Sequence, residues 1–255
     1  FMIKQLLTSP RNPFYRMYYL KKYGDTEDKD LFNRIKEYSF KHWGKVTFLQ
    51  IGGNDGELGD PVYHFVKHHQ WKGVILEPQR KVFENKLKKT YRSNDRVELV
   101  NAAIAEKSDK KTIYKISFSD SRWATGLASL NREKIENNIK SGYVEQRAKE
   151  EGEQLPANKE DWITEEVVQT YSVNDIIRKF NVSDLNVLVM DTEGYDYTIL
   201  NTLDFTRIKP DVLIFEYGFF TPEQEQKINE RLKNNNYAAK KLYMNTFAIQ
   251  KHKIY

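Results

Sequence analysis

VTFLQIGGNDGELGD, residues 46–60, joins a short apolar run to a glycine-rich turn. The run at 46–51 contains β-branched and aromatic residues that favour a strand, and the segment VYHFVKHH at 62–69 has the spacing of a helix. A strand, a glycine-rich turn and a helix in this order form the first unit of an open, mostly parallel α/β sheet. Ligands of such sheets bind beyond the carboxyl ends of the strands, so we predict that the turn borders a ligand site.

The glycine-rich turn differs from the common nucleotide-binding fingerprints. Gly52 and Gly53 are followed by Gly56, which departs from GxGxxG, and the phosphate loop GxxxxGK[ST] occurs nowhere in the chain. Asp55 in the turn would repel a pyrophosphate but would suit a cationic ammonium or sulfonium group. Glu77 ends the next apolar run, where a carboxylate can accept hydrogen bonds from both hydroxyls of a ribose. A ribose joined to a cationic amino acid indicates S-adenosylmethionine rather than NAD.

Composition places the chain among polar globular proteins. It has 255 residues, of which 39% are hydrophobic and 30% charged, and it contains no cysteine. No apolar run approaches the roughly 20 residues of a membrane span, and the start of the sequence lacks the apolar core of a signal peptide. These features predict a cytoplasmic protein without disulfides or thiolate chemistry. The net charge of +5 is a weak indication of an anionic partner.

The order of predicted elements indicates an α/β fold with two appendages. We predict a helical N-terminal extension at 1–45, and a single domain at 46–255 that carries a charged insertion at about 119–166. The sheet is expected to be mostly parallel, with helices on both faces and an antiparallel pair at 240–244 and 246–250 at its C-terminal end. Ser172 is predicted to cap a helix that follows it.

Carboxylates follow four of the predicted strands. They are Asp55, Glu77, the pair Asp191 and Glu193, and Glu216. The carboxyl ends of parallel strands lie on one edge of a sheet, so these acids are expected to meet in one cleft. A buried apolar run that ends in Asp-Thr-Glu-Gly is not typical of an exposed loop without a function.

Two further stretches contain candidate site residues. Asn101 and Ala102 follow the third strand, where small residues would let a flat ring lie against the backbone. The segment 119–130 contains Arg122 and Trp123, which could hold an anion or stack on a ligand. This segment is either a loop that folds over the cofactor or substrate, or an ordinary connector. The polar stretch 131–166 is either a solvated face or a mobile lid.

A set of motifs in one order along the chain carries a family resemblance. The motifs are FLQIGGNDGELGD (48–60), ILEPQ (75–79), VELVNAAIAEKS (97–108), ASL (128–130), YSVNDII (171–177), LVMDTEGYDYTIL (188–200) and PDVLIFEYG (210–218). On these motifs the chain resembles the FkbM family of S-adenosylmethionine-dependent methyltransferases. The resemblance implies the Rossmann-like class I methyltransferase fold. It also implies methyl transfer to oxygen, commonly to a hydroxyl of a sugar, polysaccharide or other natural product.

The resemblance and the strand-end pattern together predict three groups of site residues. The catalytic candidates are Asp191 and Glu193, one of which would act as general base or orient the acceptor. The residues predicted to bind the cofactor are Gln50, Gly52, Gly53, Asn54, Asp55, Glu77, Asn101, Ala102 and Asp191. The residues predicted on the substrate side are Arg122, Trp123 and Glu216. In the family pattern, Val189 stands where a lysine is usual and Asp196 where a glutamate is usual.

A divalent metal and other functions stay open as alternatives. Asp191 and Glu193 with a further oxygen ligand could hold Mg²⁺, but a metal is not favoured. His64, His68 and His69 are expected on the surface of the first helix.

The expected partner is a small-molecule or glycan acceptor, and a homo-oligomer stays open. A nucleic-acid methyltransferase is disfavoured because no dense Arg/Lys stripe occurs. A non-catalytic module that only binds S-adenosylmethionine is the third hypothesis.

Overall fold

The structure, a computed structural model, describes residues 29–182, 184–242 and 244–253. Most of the predicted N-terminal extension, residues 1–28, lies outside this range. The part that is described contains helix α1 (Lys29–Lys41), whose apolar residues Leu31 and Ile35 are buried. Among the described helices, none combines the length and the apolar character that crossing a bilayer requires.

In the described part of the chain, ten strands form two sheets. They are β1 (Thr47–Ile51), β2 (Lys72–Leu76), β3 (Val97–Val100), β4 (Ala103–Ile104), β5 (Asp109–Ile116), β6 (Ile163–Tyr171), β7 (Val187–Met190), β8 (Val212–Glu216), β9 (Tyr237–Leu242) and β10 (Asn245–Gln250). The large sheet has the order β3-β2-β1-β7-β8-β10-β9. Its strands are parallel except β10, which is antiparallel to both of its neighbours. The predicted mostly parallel sheet with an antiparallel C-terminal pair is therefore confirmed.

The strand order reverses direction at β1. This strand pairs with β2 on one side and with β7 on the other. The strands that follow β1 directly, β2 and β3, therefore lie on one side of it, and the later strands of the sheet lie on the other. A crevice opens at the carboxyl ends of the strands at such a switch point. The glycine-rich turn at 52–59 follows β1 directly and lies at this crevice.

Nine further helices, α2 to α10, follow α1 in the described ranges. They are α2 (Tyr63–His68), α3 (Arg80–Val82), α4 (Lys88–Tyr91), α5 (Arg122–Thr125), α6 (Arg132–Lys140), α7 (Tyr143–Glu150), α8 (Val173–Lys179), α9 (Asp196–Thr202) and α10 (Pro222–Asn234). A π-helical turn, Phe83–Leu87, joins α3 to α4. As predicted, Ser172 caps α8: its hydroxyl accepts a hydrogen bond from the Asp175 N–H at 3.1 Å.

Apolar cores fill both faces of the large sheet. Helices α8, α9 and α10 pack on one face, while α1, α2 and the helical stretch 80–91 pack on the other. Successive side chains of β1 point to opposite faces of the sheet, so the strand contributes to both cores: Phe48 lies in one and Leu49 in the other. Both side chains are fully buried. This double coverage explains why the central strands are continuously apolar in sequence.

The insertion has a small core of its own. Strand β5 pairs antiparallel with β6, and the chain between them contains α5, α6, α7 and a 3₁₀ turn, Lys159–Trp162. Trp123, Ile135, Val144 and Trp162 are buried together in this region. Its sparse apolar residues therefore hold it together, while its many charges face outward.

The prediction that His64 and His69 lie on the surface is wrong. Both are buried, with exposed fractions of 6% and 0%, whereas His68 is exposed. Helix α1 covers this end of α2, and the hydroxyl of Ser39 lies 2.8 Å from His69 Nδ1. Burial lowers the pKa of His69 to about 3, with a smaller contribution from the charge of His68. The periodicity of α2 alone contains no information about this covering helix.

Candidate active site

A cavity of about 630 Å³, counting the part open to solvent, lies at the carboxyl edge of the large sheet. Its walls come from the ends of β1, β2 and β7, from the residues after β3 and from the segment 122–130. Open α/β sheets bind their ligands at this edge. The predicted site residues that line it are Gly52, Asn54, Glu77, Ala102, Arg122, Asp191 and Glu193.

The glycine-rich turn is pressed against the strand ends on both sides. The N–H groups of Gly52 and Gly53 donate to the carbonyl of Leu76 at 3.0 and 2.8 Å. Gly52 has a φ of +84°, and a Cβ on it would overlap the backbone carbonyl of Asp191. Only glycine fits both the left-handed conformation and this close approach.

Gly52→Ala is therefore expected to destabilise the protein by about 3 kcal/mol or more, since backbone strain and overlap add. Gly59→Ala is the matched control: Gly59 has a φ of +70°, but a Cβ there would meet nothing within 4 Å. Its cost should be about 1 kcal/mol. Urea unfolding of both variants measures the difference, and equal losses would contradict the close approach at Gly52.

Glu77 is a buried carboxylate on the cavity wall. Its Oε2 accepts a hydrogen bond from the Asn54 N–H at 2.9 Å, and its Oε1 accepts one from the Gln79 N–H at 2.8 Å. Burial raises the pKa of Glu77 to about 7, and these hydrogen bonds limit the rise. Each carboxylate oxygen can accept two hydrogen bonds, so Oε2 keeps capacity for a ligand hydroxyl.

Other residues predicted to bind the cofactor support the turn instead of lining the cavity. The side-chain amide of Gln50 donates to Asp60 at 2.7 Å, and Asp55 Oδ1 accepts from two N–H groups of its own turn at 3.0 Å. Asn101 donates to the carbonyls of Glu77 and Pro78 at 2.8 and 2.9 Å. Gly53, within the turn, packs against β2 so closely that a Cβ on it would overlap the side chain of Ile75. Their roles toward a cofactor stay predictions.

The loop after β7 brings two acids to the cavity. Asp191 opens into it, and the surrounding walls raise the pKa of its carboxyl, while the charges of Arg122 and Lys134 lower it in part. Burial raises the pKa of Glu193 to about 9, and the charges of Asp191 and Glu216 add to this rise. Glu193 therefore carries its proton at neutral pH, whereas Asp191 is the better candidate to accept one.

Asp196 and Glu216 lie behind these two acids. The buried carboxylate of Asp196 accepts hydrogen bonds from Thr192 N–H at 3.2 Å and from Glu216 N–H at 3.3 Å. It thereby ties the loop after β7 to the end of β8. Burial raises the pKa of Asp196 to about 6 and that of Glu216 to about 8. Glu216, predicted on the substrate side, is not part of the cavity wall itself.

The segment 121–130 covers the cavity. Thr125 donates through its hydroxyl to Asn54 Oδ1 at 3.2 Å, and Gln79 Nε2 donates to the Thr125 carbonyl at 2.9 Å. Ser129 donates through its hydroxyl to the carbonyl of Glu193 at 3.3 Å. Trp123 does not line the cavity, because its ring is buried against the insertion core and is only 6% exposed. That this segment folds over a cofactor or substrate stays a prediction.

Sequence reasoning missed several residues at the site. Gln79, Thr125, Ser129 and Thr192 line the cavity, and Lys134 reaches the acidic strand ends from α6. The ASL and ILEPQ motifs contain two of them and were a usable signal. Lys134 had none, because a lysine in a charged helix predicts a solvated face. Among the described residues, no group of three or more potential ligands is arranged to hold a metal ion.

The sequence profile of the Methyltransferase FkbM domain matches residues 50–239. The chain belongs to the FkbM methyltransferase family. The matched region runs from the strand before the glycine-rich turn to the last hairpin, so it contains every wall of the cavity. S-adenosylmethionine is the cofactor that membership of this family implies. No curated protein matches the sequence significantly.

Several solved structures of methyltransferases match this chain at low sequence identity. The methyltransferase FkbM from Methylobacillus flagellatus is 11% identical with a TM-score of 0.46, and the match covers 96% of this chain and 57% of that one. This chain thus spans little more than half the length of that protein. An O-methyltransferase from Bacillus cereus in complex with SAH is 11% identical with a TM-score of 0.43, covering 98% and 88%. A SAM-dependent methyltransferase from Aquifex aeolicus is 12% identical with a TM-score of 0.38, covering 96% of each chain.

Proposed function

We propose that this FkbM-family protein transfers a methyl group from S-adenosylmethionine to a hydroxyl oxygen of a sugar or another natural-product acceptor. The observation that carries the proposal is the arrangement of acids around one cavity at the switch point of the sheet. Glu77 lies on one wall, and Asp191 and Glu193 lie on another. A carboxylate suited to a ribose and acids suited to a sulfonium thus border the same space.

The residues of the cavity fit the proposed cofactor. Glu77 Oε2 retains capacity for a ribose hydroxyl, and Gly52 lines the cavity without a side chain. Ala102, Ile104 and Leu130 make one part of the wall apolar, which suits adenine. When bound there, S-adenosylmethionine supplies a methyl group activated by its sulfonium charge.

The protein's side chains would take the proton of the acceptor hydroxyl, orient the acceptor and exclude water from the cavity. An alcohol is a weak nucleophile until its proton is removed, so we assign this proton to Asp191 Oδ. Glu193, protonated at neutral pH, would donate a hydrogen bond that orients the acceptor. Thr125 and Ser129 hold the covering segment over the cavity, and exclusion of water there favours the reaction.

The affinity for S-adenosylmethionine is expected to rise with pH between 5.5 and 8. Ribose hydroxyls donate to the ionised form of Glu77, whose pKa is about 7 in the protein alone. Binding is then coupled to loss of this proton, so affinity should increase by up to about tenfold per pH unit below pH 7 and level off above it. Calorimetric titration at several pH values measures the slope, and Glu77→Gln should flatten it. A flat wild-type profile would contradict contact between ribose and Glu77.

The activity itself is tested with methyl-labelled S-adenosylmethionine and a panel of acceptors. The panel should contain sugars, glycans, phenols and RNA, with the methylated product identified by mass spectrometry. A methyl ether formed on a carbohydrate or other hydroxyl acceptor supports the proposal. Transfer only to RNA, lost at high salt because phosphate contacts weaken, would favour a nucleic-acid methyltransferase. Cofactor binding without transfer to any acceptor would favour a non-catalytic module.

A further inference from the structure

The acids that line the cavity suit only part of the proposed cofactor. S-adenosylmethionine has a positive sulfonium and a positive ammonium group, but its methionine part also ends in a negative α-carboxylate. Glu77 and Asp191 on the cavity walls repel such a carboxylate when they are ionised. The carboxylate therefore needs free hydrogen-bond donors or a cation in the same cavity.

The glycine-rich turn offers few free donors to an anion. Many α/β folds hold the anionic group of a ligand with backbone N–H groups at the start of the helix that follows the turn. Here the N–H groups at 52–54 donate to the end of β2, and those at 56–58 donate to acceptors within the turn itself. At the start of α2, the N–H groups of Val62 and Tyr63 both donate to Asp60 at 2.8 Å. A ligand carboxylate would have to displace the protein's own acceptors from all of these groups.

Arg122 is the only Lys, Arg or His among the described residues that line the cavity. Its side chain is 36% exposed, so a ligand can reach it. In the described part of the chain, its guanidinium makes one hydrogen bond, from Nε to the carbonyl of Leu58 at 3.4 Å. Asp55 Oδ2 lies 3.9 Å from the same nitrogen, beyond hydrogen-bond distance. The Nη nitrogens thus keep their donors for a carboxylate, which a guanidinium can bind with two parallel hydrogen bonds.

The guanidinium of Arg122 acts on both acidic walls of the cavity. Burial raises the pKa of Glu77 and that of Asp191, and the charge of Arg122 opposes part of the rise in each. Its Nη1 end lies against Gly126, where a Cβ would come within 2.7 Å of it. A cation in this place is close to the methionine part of a ligand whose ribose lies at Glu77 and whose methyl group faces Asp191.

We propose that Arg122 binds the α-carboxylate of S-adenosylmethionine through its Nη nitrogens. The inference rests on the proposed function, and it moves Arg122 from the predicted substrate side to the cofactor. Since Arg122 belongs to the segment 121–130, this contact would make the covering segment part of the cofactor site. An adenosine thioether without a carboxylate should then bind the wild type more weakly than S-adenosylhomocysteine does.

Calorimetric titration with S-adenosylhomocysteine and with its decarboxylated analogue tests this inference. The analogue has the same adenosine and thioether but ends in an aminopropyl group, so it keeps the ammonium and lacks the carboxylate. The wild type should bind S-adenosylhomocysteine about 10- to 100-fold more tightly than the analogue, which is the range for a hydrogen bond to a charged group. Arg122→Met should weaken S-adenosylhomocysteine by a similar factor and leave the affinity for the analogue unchanged or higher. Arg122→Lys keeps the charge without the planar fork, so its loss should be smaller.

Arg80→Met is the control, because Arg80 is an exposed arginine at the start of α3 and does not line the cavity. It should leave the affinity for both ligands unchanged. Equal affinity of the wild type for the two ligands would overturn the inference, and this comparison needs no variant to fold. An equal loss of both ligands in Arg122→Met, or no loss of either, would also overturn it. These results leave the proposed function standing, whereas failure of the folded wild type to bind S-adenosylhomocysteine sinks both.

Discussion

Asp191→Asn is expected to lower the rate of methyl transfer by about 100- to 10,000-fold, which is the usual contribution of general acid–base catalysis. The amide keeps the size and the hydrogen-bonding geometry of the side chain but cannot take the proton of the acceptor hydroxyl. The affinity for S-adenosylmethionine should fall only modestly, because Glu77 and the glycine-rich turn are untouched. Single-turnover kinetics with saturating cofactor measures the effect on the chemical step.

Two comparisons make this prediction specific. Glu193→Gln should reduce the rate far less, because Glu193 has a pKa of about 9 and is already neutral at pH 7. Asp184→Asn, at an exposed acid before the opposite end of β7, should have no effect. Unchanged turnover in Asp191→Asn would remove Asp191 as the base. A larger loss in Glu193→Gln than in Asp191→Asn would transfer the role to Glu193.

Glu77→Ala is expected to weaken S-adenosylmethionine binding by about 10- to 100-fold. One hydrogen bond between a ribose hydroxyl and a carboxylate is worth about 1.5–3 kcal/mol, and every 1.4 kcal/mol is about tenfold in affinity. The same loss should apply to S-adenosylhomocysteine, which has the same ribose. Isothermal titration calorimetry of both ligands measures it.

Glu57→Ala is the control for Glu77→Ala, since Glu57 is an exposed acid on the same glycine-rich turn. It should retain wild-type affinity. Glu77 also accepts hydrogen bonds from the backbone of Asn54 and Gln79, so thermal unfolding must verify that the variant retains the turn. A folded Glu77→Ala protein with wild-type affinity would show that the ribose binds elsewhere.

Much of the fold followed from local sequence patterns. The apolar runs at β1, β7 and β8 indicated strands, and the structure packs helices against both faces of the sheet that they form. The convergence of Glu77, Asp191 and Glu193 was predictable for a geometric reason. Parallel strands bring their carboxyl ends to one edge wherever they lie in the sequence.

The remaining features depend on contacts between distant parts of the chain. Trp123 was predicted on the substrate side, but its ring packs with Trp162 and other residues of the insertion core. Lys134 has the sequence context of a solvated helix, yet its ammonium lies among acids from β7 and β8. His69 is covered by α1, a helix that precedes it by about thirty residues in a stretch with no motif. Such contacts depend on how elements pack, and periodicity within each element does not specify them.

Titration of the purified wild-type protein with S-adenosylmethionine and, separately, with S-adenosylhomocysteine decides whether the cavity is a cofactor site. We expect saturable binding of both at one site per chain, with each ligand displacing the other. Binding of neither to protein that is folded by circular dichroism would contradict it. The acid-lined cavity would then serve a different ligand.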